Sequence, residues 1–564
     1  MEEPGSLFAQ ASLDGPKPMA TLPLANVNLG ARAPERMAMV MRNIGRNGWM
    51  GRTAAVMALG IAGAGCGDDQ AAAPTVDART NAATQAVAAA ASPRNTLRPL
   101  APLSGSMSGS RQPTFHYTPA RNATVDICDD RACTEVISQL DGTAGVAQPT
   151  TPLRAGLLFW RVVDNRTTSA VWQLTIPGRD TGGDIAWGVV PDFNGDGLAD
   201  VAIGSPAAGS QSVSVFNGAP FGPGFTPDET LTGGALFGEA VASAGDVNGD
   251  GFVDLAVAAG SAPGTVTVFL GGPAGPGGSG TALAPGDVTA GFGATIASAG
   301  DVNGDGYADL LVGGVEHAQV FLGGPSGIAT RAAFTLAGST LNGMTGDASV
   351  VQGPSDVNTD GKPDLLVGGA LYLSGPSGLT AQAGFAAEEG LGSFAGDENG
   401  DGFGDFASFE VIPGSPTGLD TGTFAFDQAG EATLGSAGDV DGDGYSDIIS
   451  SLSSIEGLTD RQRVYFGAPG SCGTNGCRRF LSIPIPGHDF MGGNLTAFLG
   501  GVGDATGDGI DDLVAATPDT GKAYFFRSGS AGSNDVAFAS PTWTFPTGFG
   551  TSFAALFGSV LPLI

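Results

Sequence analysis

The chain has 564 residues, including 94 glycines, and its 56 Asp and Glu against 24 Lys and Arg give a net charge of −32 at pH 7. This charge argues against nucleic acid as a partner and against electrostatic binding to anionic lipid. The abundant glycine indicates many tight turns between short strands rather than helices. The length allows several domains or one large repeat array.

The N-terminal segment resembles an export signal. Forty residues before a signal peptide are unusual, and we interpret residues 1–40 as a mis-assigned start or a disordered leader. Residues 41–66 combine a basic start with 13 weakly apolar residues, Thr53 to Gly65. A membrane span needs about 20 residues, so this run fits the apolar part of a signal peptide. Its end, "GAGC", resembles the lipobox of bacterial lipoproteins, although Gly63 stands where that motif usually has leucine.

The lipobox resemblance implies lipidation of Cys66. We therefore expect an exported lipoprotein of the outer membrane or cell surface, whose only membrane contact is its lipid anchor. A simple signal peptide and a freely secreted protein are the alternative. The other four cysteines form two close pairs, which predict the disulfides Cys128–Cys133 and Cys472–Cys477 in an oxidising compartment. Zinc is the rival interpretation, but no histidine stands near either pair in the sequence.

Two different segments follow the signal. Residues 67–102 are rich in Ala, Pro, Thr and Asn without apolar periodicity, which indicates a flexible tether. Residues 103–178 contain strand-like runs such as "ATVDIC", separated by turn residues. The run "GLLFWRVVD" resembles the penultimate strand of a fibronectin type III domain, so we predict a small β-sandwich that serves as a spacer. The aromatic residues that we expect in its core are Phe115, Tyr117, Phe159, Trp160 and Trp172.

A nine-residue acidic stretch then occurs seven times within residues 179–564. Examples are "DVNGDGFVD", "DVNGDGYAD" and "DVDGDGYSD", and the first aspartates of consecutive copies stand 41 to 65 residues apart, by subtraction of their positions. Such self-similarity is the signature of a repeat architecture. We number the copies as loops 1 to 7 and the residues of each as positions 1 to 9. The loops are residues 192–200, 246–254, 301–309, 356–364, 397–405, 439–447 and 504–512.

The acidic loops have the composition of a calcium site. Each offers side-chain oxygens at positions 1, 3, 5 and 9, a carbonyl at position 7 and glycine at position 6. Calcium takes six to eight oxygen ligands at about 2.3–2.6 Å. An EF-hand is excluded for two reasons. Position 12 is never Glu, and the residues that follow each loop form mostly apolar, strand-like runs. A polar turn is the alternative, but it would not need carboxylates at positions 1, 5 and 9 of every loop.

We therefore predict up to seven calcium ions. The predicted ligands, in loop order and with position 7 contributing its backbone carbonyl, are Asp192, Asn194, Asp196, Leu198, Asp200; Asp246, Asn248, Asp250, Phe252, Asp254; Asp301, Asn303, Asp305, Tyr307, Asp309; Asp356, Asn358, Asp360, Lys362, Asp364; Asp397, Asn399, Asp401, Phe403, Asp405; Asp439, Asp441, Asp443, Tyr445, Asp447; and Asp504, Thr506, Asp508, Ile510, Asp512. Thr506 makes loop 7 the poorest of these sites.

The sequences around the loops carry a family resemblance. "LFGEAVASAGD" and "GFGATIASAGD" precede loops 2 and 3, and "VFLGGPAG", "VFLGGPSG" and "VYFGAPG" follow loops 2, 3 and 6. This order resembles the FG-GAP repeat of the integrin alpha N-terminal propeller, whose loops bind calcium. The resemblance implies an all-β fold with a seven-bladed β-propeller over residues 179–564. The tail "GFGTSFAALFGSV", residues 548–560, resembles another FG strand, which we expect to pair with the first blade and close the ring.

The sequence shows no catalytic motif. It contains no Gly-x-Ser-x-Gly, no His-Glu-x-x-His, no phosphate loop and only three histidines. We therefore predict a non-enzymatic surface protein, and the family resemblance implies an adhesion or protein-binding platform. A calcium-dependent lectin or polysaccharide-binding propeller is the alternative, so the expected partner is a surface protein or a glycan. A polysaccharide-degrading enzyme stays open as a third possibility.

Overall fold

The computed structural model describes residues 96–560, apart from gaps of one to three residues and the longer gaps 177–187, 386–391, 426–431, 453–461, 468–479, 484–497, 518–521, 530–542 and 545–551. The predicted leader, signal peptide and lipidated Cys66, most of the tether, and the pair Cys472 and Cys477 lie outside the described residues. The regular secondary structure of the described part consists of β-strands. It contains no helix of the length and apolar character that crossing a membrane requires.

The N-terminal strands form two small sheets. They are β1 (Arg98–Ala101), β2 (Ser106–Met107), β3 (Phe115–Thr118), β4 (Ala123–Cys128), β5 (Val136–Gly142), β6 (Val146–Ala147), β7 (Gly156–Val163) and β8 (Trp172–Ile176). One sheet has the order β1-β3-β6 and the other the order β2-β8-β7-β4-β5. The pairs are antiparallel except β2 with β8. We call residues 98–176 the N-terminal β-domain; its likeness to fibronectin type III stays a prediction.

Aromatic packing in the N-terminal β-domain follows the prediction with one correction. The ring of Phe115 lies 4.8 Å from that of Trp160, which lies 5.7 Å from Trp172, and all three are buried. Phe159 does not join them. It packs with Cys128 and Cys133, because successive residues of a strand face opposite sides of a sheet.

Two further predictions concern this domain. Cys128 and Cys133 form the predicted disulfide. The predicted tether, residues 67–102, extends too far, because Arg98–Ala101 pairs with Phe115–Thr118 as an edge strand. A four-residue strand containing proline gives no alternation that the sequence alone could reveal.

The remaining strands form seven main sheets, which we number with the loops. The strands are β9 (Val201–Ser205), β10 (Ser212–Phe216), β11 (Glu229–Thr232); β12 (Phe237–Gly245), β13 (Asp254–Ala259), β14 (Thr265–Leu270), β15 (Gly277–Leu283); β16 (Ile296–Gly300), β17 (Asp309–Val312), β18 (Ala318–Phe321), β19 (Phe334–Leu336); the separate pair β20 (Thr340–Leu341) and β21 (Met344–Thr345); β22 (Val351–Ser355), β23 (Asp364–Val367), β24 (Ala370–Leu373), β25 (Thr380–Ala381); β26 (Ser393–Gly396), β27 (Asp405–Ala407), β28 (Glu410–Ile412), β29 (Phe424–Ala425); β30 (Ala432–Gly438), β31 (Asp447–Leu452), β32 (Gln462–Tyr465), β33 (Phe480–Ile483); β34 (Phe498–Gly503), β35 (Asp512–Thr517), β36 (Lys522–Phe526), β37 (Trp543–Thr544); β38 (Ser552–Ala555) and β39 (Gly558–Val560).

Sheets 2 to 7 are four-stranded antiparallel meanders, and in each the acidic loop joins the first strand to the second. Sheet 1 is built differently, in the order β11-β10-β9-β38-β39. Its first strand is supplied by the C-terminal segment, where Ser552 pairs with Gly204 and Phe553 with Ile203. The predicted pairing of the tail with the first repeat is therefore confirmed.

The apolar core lies between neighbouring sheets. Separate clusters of buried side chains join sheets 1 and 2, 3 and 4, 4 and 5, 5 and 6, and 6 and 7, and a larger cluster joins sheets 2 and 3 with the N-terminal β-domain. A further cluster joins sheet 7 to sheet 1 and contains Val201, Ile203, Val514 and Phe525. One sheet cannot bury both of its faces alone, so each depends on its two neighbours. The contacts between sheets thus form a closed cycle.

Candidate metal centres

Loop 2 shows how the residue at position 1 shapes the turn. The Asp246 Oδ1 atom accepts hydrogen bonds from the backbone N–H of Gly249, at 2.6 Å, and of Asp250, at 3.1 Å. Its Oδ2 atom accepts the N–H of Gly251 at 2.7 Å. The bonds from positions 5 and 6 recur in all seven loops. The chain therefore wraps around the first carboxylate.

The carboxylate at position 9 ties the loop to the hairpin that follows. In loop 2 the Asp254 Oδ2 atom accepts the N–H of Val247 at 2.8 Å, and its Oδ1 atom accepts the N–H of Gly271 at 2.7 Å. Both bonds recur in the other loops through Asp200, Asp309, Asp364, Asp405, Asp447 and Asp512. Position 9 thus has a structural role that reasoning from the sequence missed.

The close approach of the backbone at this bond explains why a glycine opens the Gly-Gly-Pro motif. A Cβ atom on Gly271 would lie 2.2 Å from the carbonyl oxygen of Val253, which is far closer than a real contact. Gly323 in sheet 3 is confined in the same way by Ala308, with 2.3 Å to its carbonyl oxygen. A small residue, glycine or serine, stands at this place in every sheet, and its recurrence was the signal in the sequence. These residues are Gly218, Gly271, Gly323, Ser374, Gly414, Gly467 and Ser528.

Neighbouring loops also contact one another. The N–H at position 8 donates to the position 1 carbonyl of the preceding loop, as from Ala308 to Asp246 at 3.0 Å. Loop 1 donates in the same way to loop 7, from Ala199 to Asp504 at 2.8 Å. The bond recurs between loops 2 and 1, 5 and 4, 6 and 5, and 7 and 6. In loop 4 the donor position is Pro363, which has no N–H. The loops therefore form a ring of their own, whose backbone bonds are interrupted between loops 3 and 4.

Side chains at position 7 reinforce this ring by covering the position 4 glycine of the preceding loop. A Cβ atom on Gly249 would lie 2.7 Å from the Tyr307 ring, and one on Gly400 would lie 2.2 Å from the Tyr445 ring. Both glycines also have a positive φ, 73° and 72°. In these two loops glycine at position 4 is therefore favoured by its backbone angle and by the space above it. The pattern is not universal, because loop 4 has Thr359 there at a φ of 55° and a Cβ atom on Gly304 of loop 3 would meet nothing within 4 Å.

Loop 6 brings three of the predicted ligands together. The carboxylate oxygens of Asp439, Asp441 and Asp447 lie within 4.8 Å of one another, the one such acidic group found among the described residues. Loop 6 is also the one loop with an aspartate at position 3. Asp443 at position 5 lies outside this group, and its Oδ1 atom accepts the N–H of Tyr445 at 3.0 Å.

The buried carboxylates of each loop repel one another. Burial, with the neighbouring charge of Asp250 as a second cause, raises the pKa of Asp246 from its ordinary 3.8 to about 7. Burial and then the charge of Asp246 raise the pKa of Asp254 well above its usual range. The pKa at position 1 is raised in loops 3 and 6 to about 7, again first by burial. A cation among these oxygens would remove both penalties, so the donor set fits a hard divalent ion.

Loop 7 fits such an ion less well. The Thr506 Oγ1 atom is buried without a hydrogen-bond partner in the described part of the chain, as an unused oxygen ligand would be. However, Arg527 already contacts the position 5 carboxylate, with 3.0 Å between its Nη2 atom and the Asp508 Oδ2 atom. This fixed positive charge competes with a bound cation, in agreement with the poorer ligand set predicted for loop 7.

Comparison with known proteins agrees with the repeat pattern. The family model described as "FG-GAP-like repeat" matches residues 192–257 and 246–312, which hold loops 1 to 3. Integrin alpha-IIb of Mus musculus is 37% identical over 164 residues, 25% of this chain and 16% of that protein. Integrin alpha-V of Gallus gallus is 32% identical over 206 residues, 32% of this chain and 19% of that protein.

The chain carries FG-GAP-like repeats and is similar to integrin alpha chains. It spans less than a fifth of the length of these two relatives. The FG-GAP assignment predicted from the sequence is thus confirmed, as is the all-β fold. The ligand roles of the loop residues, and calcium itself, stay predictions.

Two of the solved structures that are similar to this chain are rhamnogalacturonan lyases. One is the exotype rhamnogalacturonan lyase YesX, with 13% identity and a TM-score of 0.34, covering 82% of this chain and 90% of that chain. The other is the rhamnogalacturonan lyase PL11 of Bacillus licheniformis, with 11% identity and a TM-score of 0.27, covering 77% of this chain and 91% of that chain. The prediction that the chain is not an enzyme is contradicted by these neighbours and is withdrawn. Values this low assign no activity to this chain.

Proposed function

We propose that this chain is an exported, calcium-stabilised β-propeller of seven blades that binds a protein ligand at the cell surface. The observation that carries the proposal is the repeated pair of buried carboxylates at positions 1 and 9, whose pKa values burial raises in loop after loop. Calcium would add a full positive charge to carboxylates that are otherwise held mostly by backbone N–H groups. The closed cycle of contacts between the sheets supports seven blades.

The chain's own residues explain what the ion would stabilise. In loop 2 the carboxylate of Asp246 holds the inner side of the turn, and that of Asp254 holds the following hairpin through Gly271. An ion between the two carboxylates would join the turn to the hairpin within one sheet. Because six of the seven loops donate a backbone bond to the preceding loop, occupancy of one loop would support the next, except between loops 3 and 4.

A protein ligand is favoured over a glycan by the surface. Sugars commonly stack on exposed aromatic rings, whereas the large apolar residues exposed in the described part are aliphatic. They are Val136, Ile137, Val146, Leu236, Leu270 and Val315. The similarity to integrin alpha chains is the second support for an adhesion or protein-binding role.

The ligand class is tested with the purified chain, immobilised and exposed to envelope extract in calcium and in excess EGTA. We expect defined proteins to be retained in calcium and lost in EGTA. The same preparation is applied to a glycan array and assayed for cleavage of rhamnogalacturonan. Selective glycan binding would contradict the protein-ligand proposal in favour of a lectin, and calcium-dependent cleavage would replace it with a lyase.

The cellular location is tested separately through Cys66. We propose a lipid anchor there, since the residue ends a signal-like segment and is the odd cysteine beside two pairs. The variant Cys66→Ser should move the protein from the detergent phase to the soluble fraction with the repeats still folded. A wild-type protein that is already soluble, with a mature N-terminus elsewhere, would show that it is secreted without an anchor.

A further inference from the structure

Arg131 of the N-terminal β-domain lies between loops 1 and 2. It belongs to the turn between β4 and β5 that the Cys128–Cys133 disulfide closes. Its Nε atom donates to the carbonyl oxygen of Gly195 at 2.5 Å, and its Nη1 and Nη2 atoms donate to that of Gly251 at 3.1 Å. Its guanidinium carbon lies 4.4 Å from the centre of the Phe252 ring. One side chain therefore contacts two neighbouring acidic loops.

The charges of this contact are complementary. The acidic residues that act on the Arg131 guanidinium come from both loops, and they are Asp192, Asp246, Asp250 and Asp196. Gln173 links the two sides, because its Oε1 atom accepts from Arg131 at 2.7 Å while its side chain also bonds to Asp192. Each loop has carboxylates at positions 1, 5 and 9, so one divalent ion still leaves it a net negative charge. A loaded pair of loops would therefore still attract Arg131.

Other donors of the same domain contact the outer side of loops 2 and 3. The Ser104 Oγ atom donates to the Gly251 carbonyl at 2.9 Å, and the Trp172 Nε1 atom donates to that of Gly249 at 3.4 Å. Arg98 donates to the carbonyl oxygen of Asp305, and its guanidinium carbon lies 4.3 Å from the Tyr307 ring centre. The domain thus binds backbone carbonyls at positions 4, 5 and 6.

One peptide turn links these outer carbonyls to the inner carboxylate. In loop 2 the N–H groups of residues 249, 250 and 251 point inward and bond to Asp246. The carbonyls of residues 249 and 251 point outward and bond to the N-terminal β-domain. The Gly249 carbonyl shares its peptide plane with the Asp250 N–H, which bonds to Asp246, and the Gly251 carbonyl shares its plane with the Phe252 N–H, which bonds to the Asp250 Oδ1 atom at 3.0 Å. If these bonds to the predicted ligands change, the peptide planes rotate and the outer acceptors turn away. The turn can therefore transmit the state of the inner site to the domain outside it.

We propose that loops 1 to 3 form a cation-dependent docking surface for the N-terminal β-domain, in which Arg131 makes the central polar contacts beside the apolar cluster that the domain shares with sheets 2 and 3. Loss of the cation releases the domain from the propeller and exposes that face. This inference rests on the proposed cation binding and extends it from stability to domain arrangement. It also gives the disulfide a role, since Cys128 and Cys133 hold the short turn that carries Arg131.

The test measures hydrogen–deuterium exchange by mass spectrometry on the full mature chain, with calcium binding counted by titration calorimetry on the same samples. In wild type, EGTA should raise exchange of peptides covering residues 100–107, 129–134 and 246–254 by about tenfold or more, since hydrogen bonds to a charged group are lost. Arg131→Ala should do the same in saturating calcium while the number of bound ions is unchanged. Circular dichroism verifies that the sheets remain.

Arg121→Ala is the matched control. Arg121 also carries a positive charge in the N-terminal β-domain, but its ion pair is with Asp164 of the same domain, outside the turn that carries Arg131. Its variant should keep wild-type protection in calcium. Equal protection of wild type with and without bound calcium would overturn the cation dependence, and wild-type protection in Arg131→Ala would overturn the docking role. A titration with no bound calcium would instead refute the proposed function, and the Arg131→Ala comparison would still decide the docking.

Discussion

Loops 1 to 3 and loops 4 to 7 share one sequence pattern but have different surroundings. A Cβ atom on the position 6 glycine would lie 2.1 Å from Leu157 in loop 1 and 2.3 Å from the Val171 carbonyl in loop 2. On Gly361 of loop 4 and Gly509 of loop 7 it would meet nothing within 4 Å. All four glycines have a positive φ. The turn therefore requires glycine everywhere, and the N-terminal β-domain adds a second requirement only in the covered loops.

The largest effect that we expect is that chelation of calcium removes the difference between loops 1 to 3 and loops 4 to 7. With calcium at about ten- to a hundredfold excess over Kd, each occupied loop adds about 1.4–2.7 kcal/mol to the free energy of unfolding. Several loops together should therefore raise the melting temperature markedly. In excess EGTA, loops 1 to 3 and loops 4 to 7 should both exchange amide protons quickly. An unchanged melting curve by calorimetry would contradict calcium binding in both sets.

The pH dependence of the chelated protein should be the next largest effect. The pKa of Asp246 is about 7 in the folded chain against an ordinary 3.8, mainly through burial. Protonation of this group therefore stabilises the fold fully below pH 3.8, and this contribution is lost as the pH rises to about 7. The melting temperature in EGTA should fall over that window. In saturating calcium it should rise instead, since protons then compete with the ion, and a fall in both conditions would argue against metal at these carboxylates.

Two glycine variants separate the backbone requirement from the contact with the N-terminal β-domain. Gly251→Ala and Gly509→Ala both place alanine at a positive φ, 98° and 85°. Each should cost about 1–2 kcal/mol for the backbone angle. Gly251→Ala should cost more, because its Cβ atom would meet the Val171 carbonyl at 2.3 Å. Equal losses by chemical denaturation would show that the contact adds nothing in solution.

The sequence predicted what is local and repeated. The loops, their glycine at position 6, the tail strand and the Cys128–Cys133 disulfide follow from spacing and motif. Apart from the pairing of the tail with the first repeat, which the motif indicated, it could not predict contacts between distant segments. Arg131 lies 64 residues from Gly195 and 120 from Gly251 along the chain. The bond from position 9 to the hairpin glycine was missed for a different reason, because a metal ligand and a backbone acceptor both require aspartate.

Within loops 4 to 7, variants of loops 6 and 7 should give the smallest but most specific difference in the free energy of unfolding. Asp441 is one of three carboxylates within 4.8 Å of one another. Asp441→Ala should therefore lower the free energy of unfolding in calcium by about 1–3 kcal/mol, as loss of a buried ligand does. Thr506→Ala removes an oxygen beside a carboxylate that Arg527 already contacts, and it should cost less than about 0.5 kcal/mol.

In EGTA the order of the two variants should change. Without an ion, Asp441 adds negative charge to a site where Asp439 already has a raised pKa, in part because of the Asp441 charge itself. Removing that carboxylate should then cost little or stabilise the fold, whereas Thr506→Ala should behave as it does in calcium. Urea denaturation of both variants with and without calcium measures this. If Asp441→Ala costs the same in both conditions, its carboxylate only shapes a polar turn, and loop 6 is no better a cation site than loop 7.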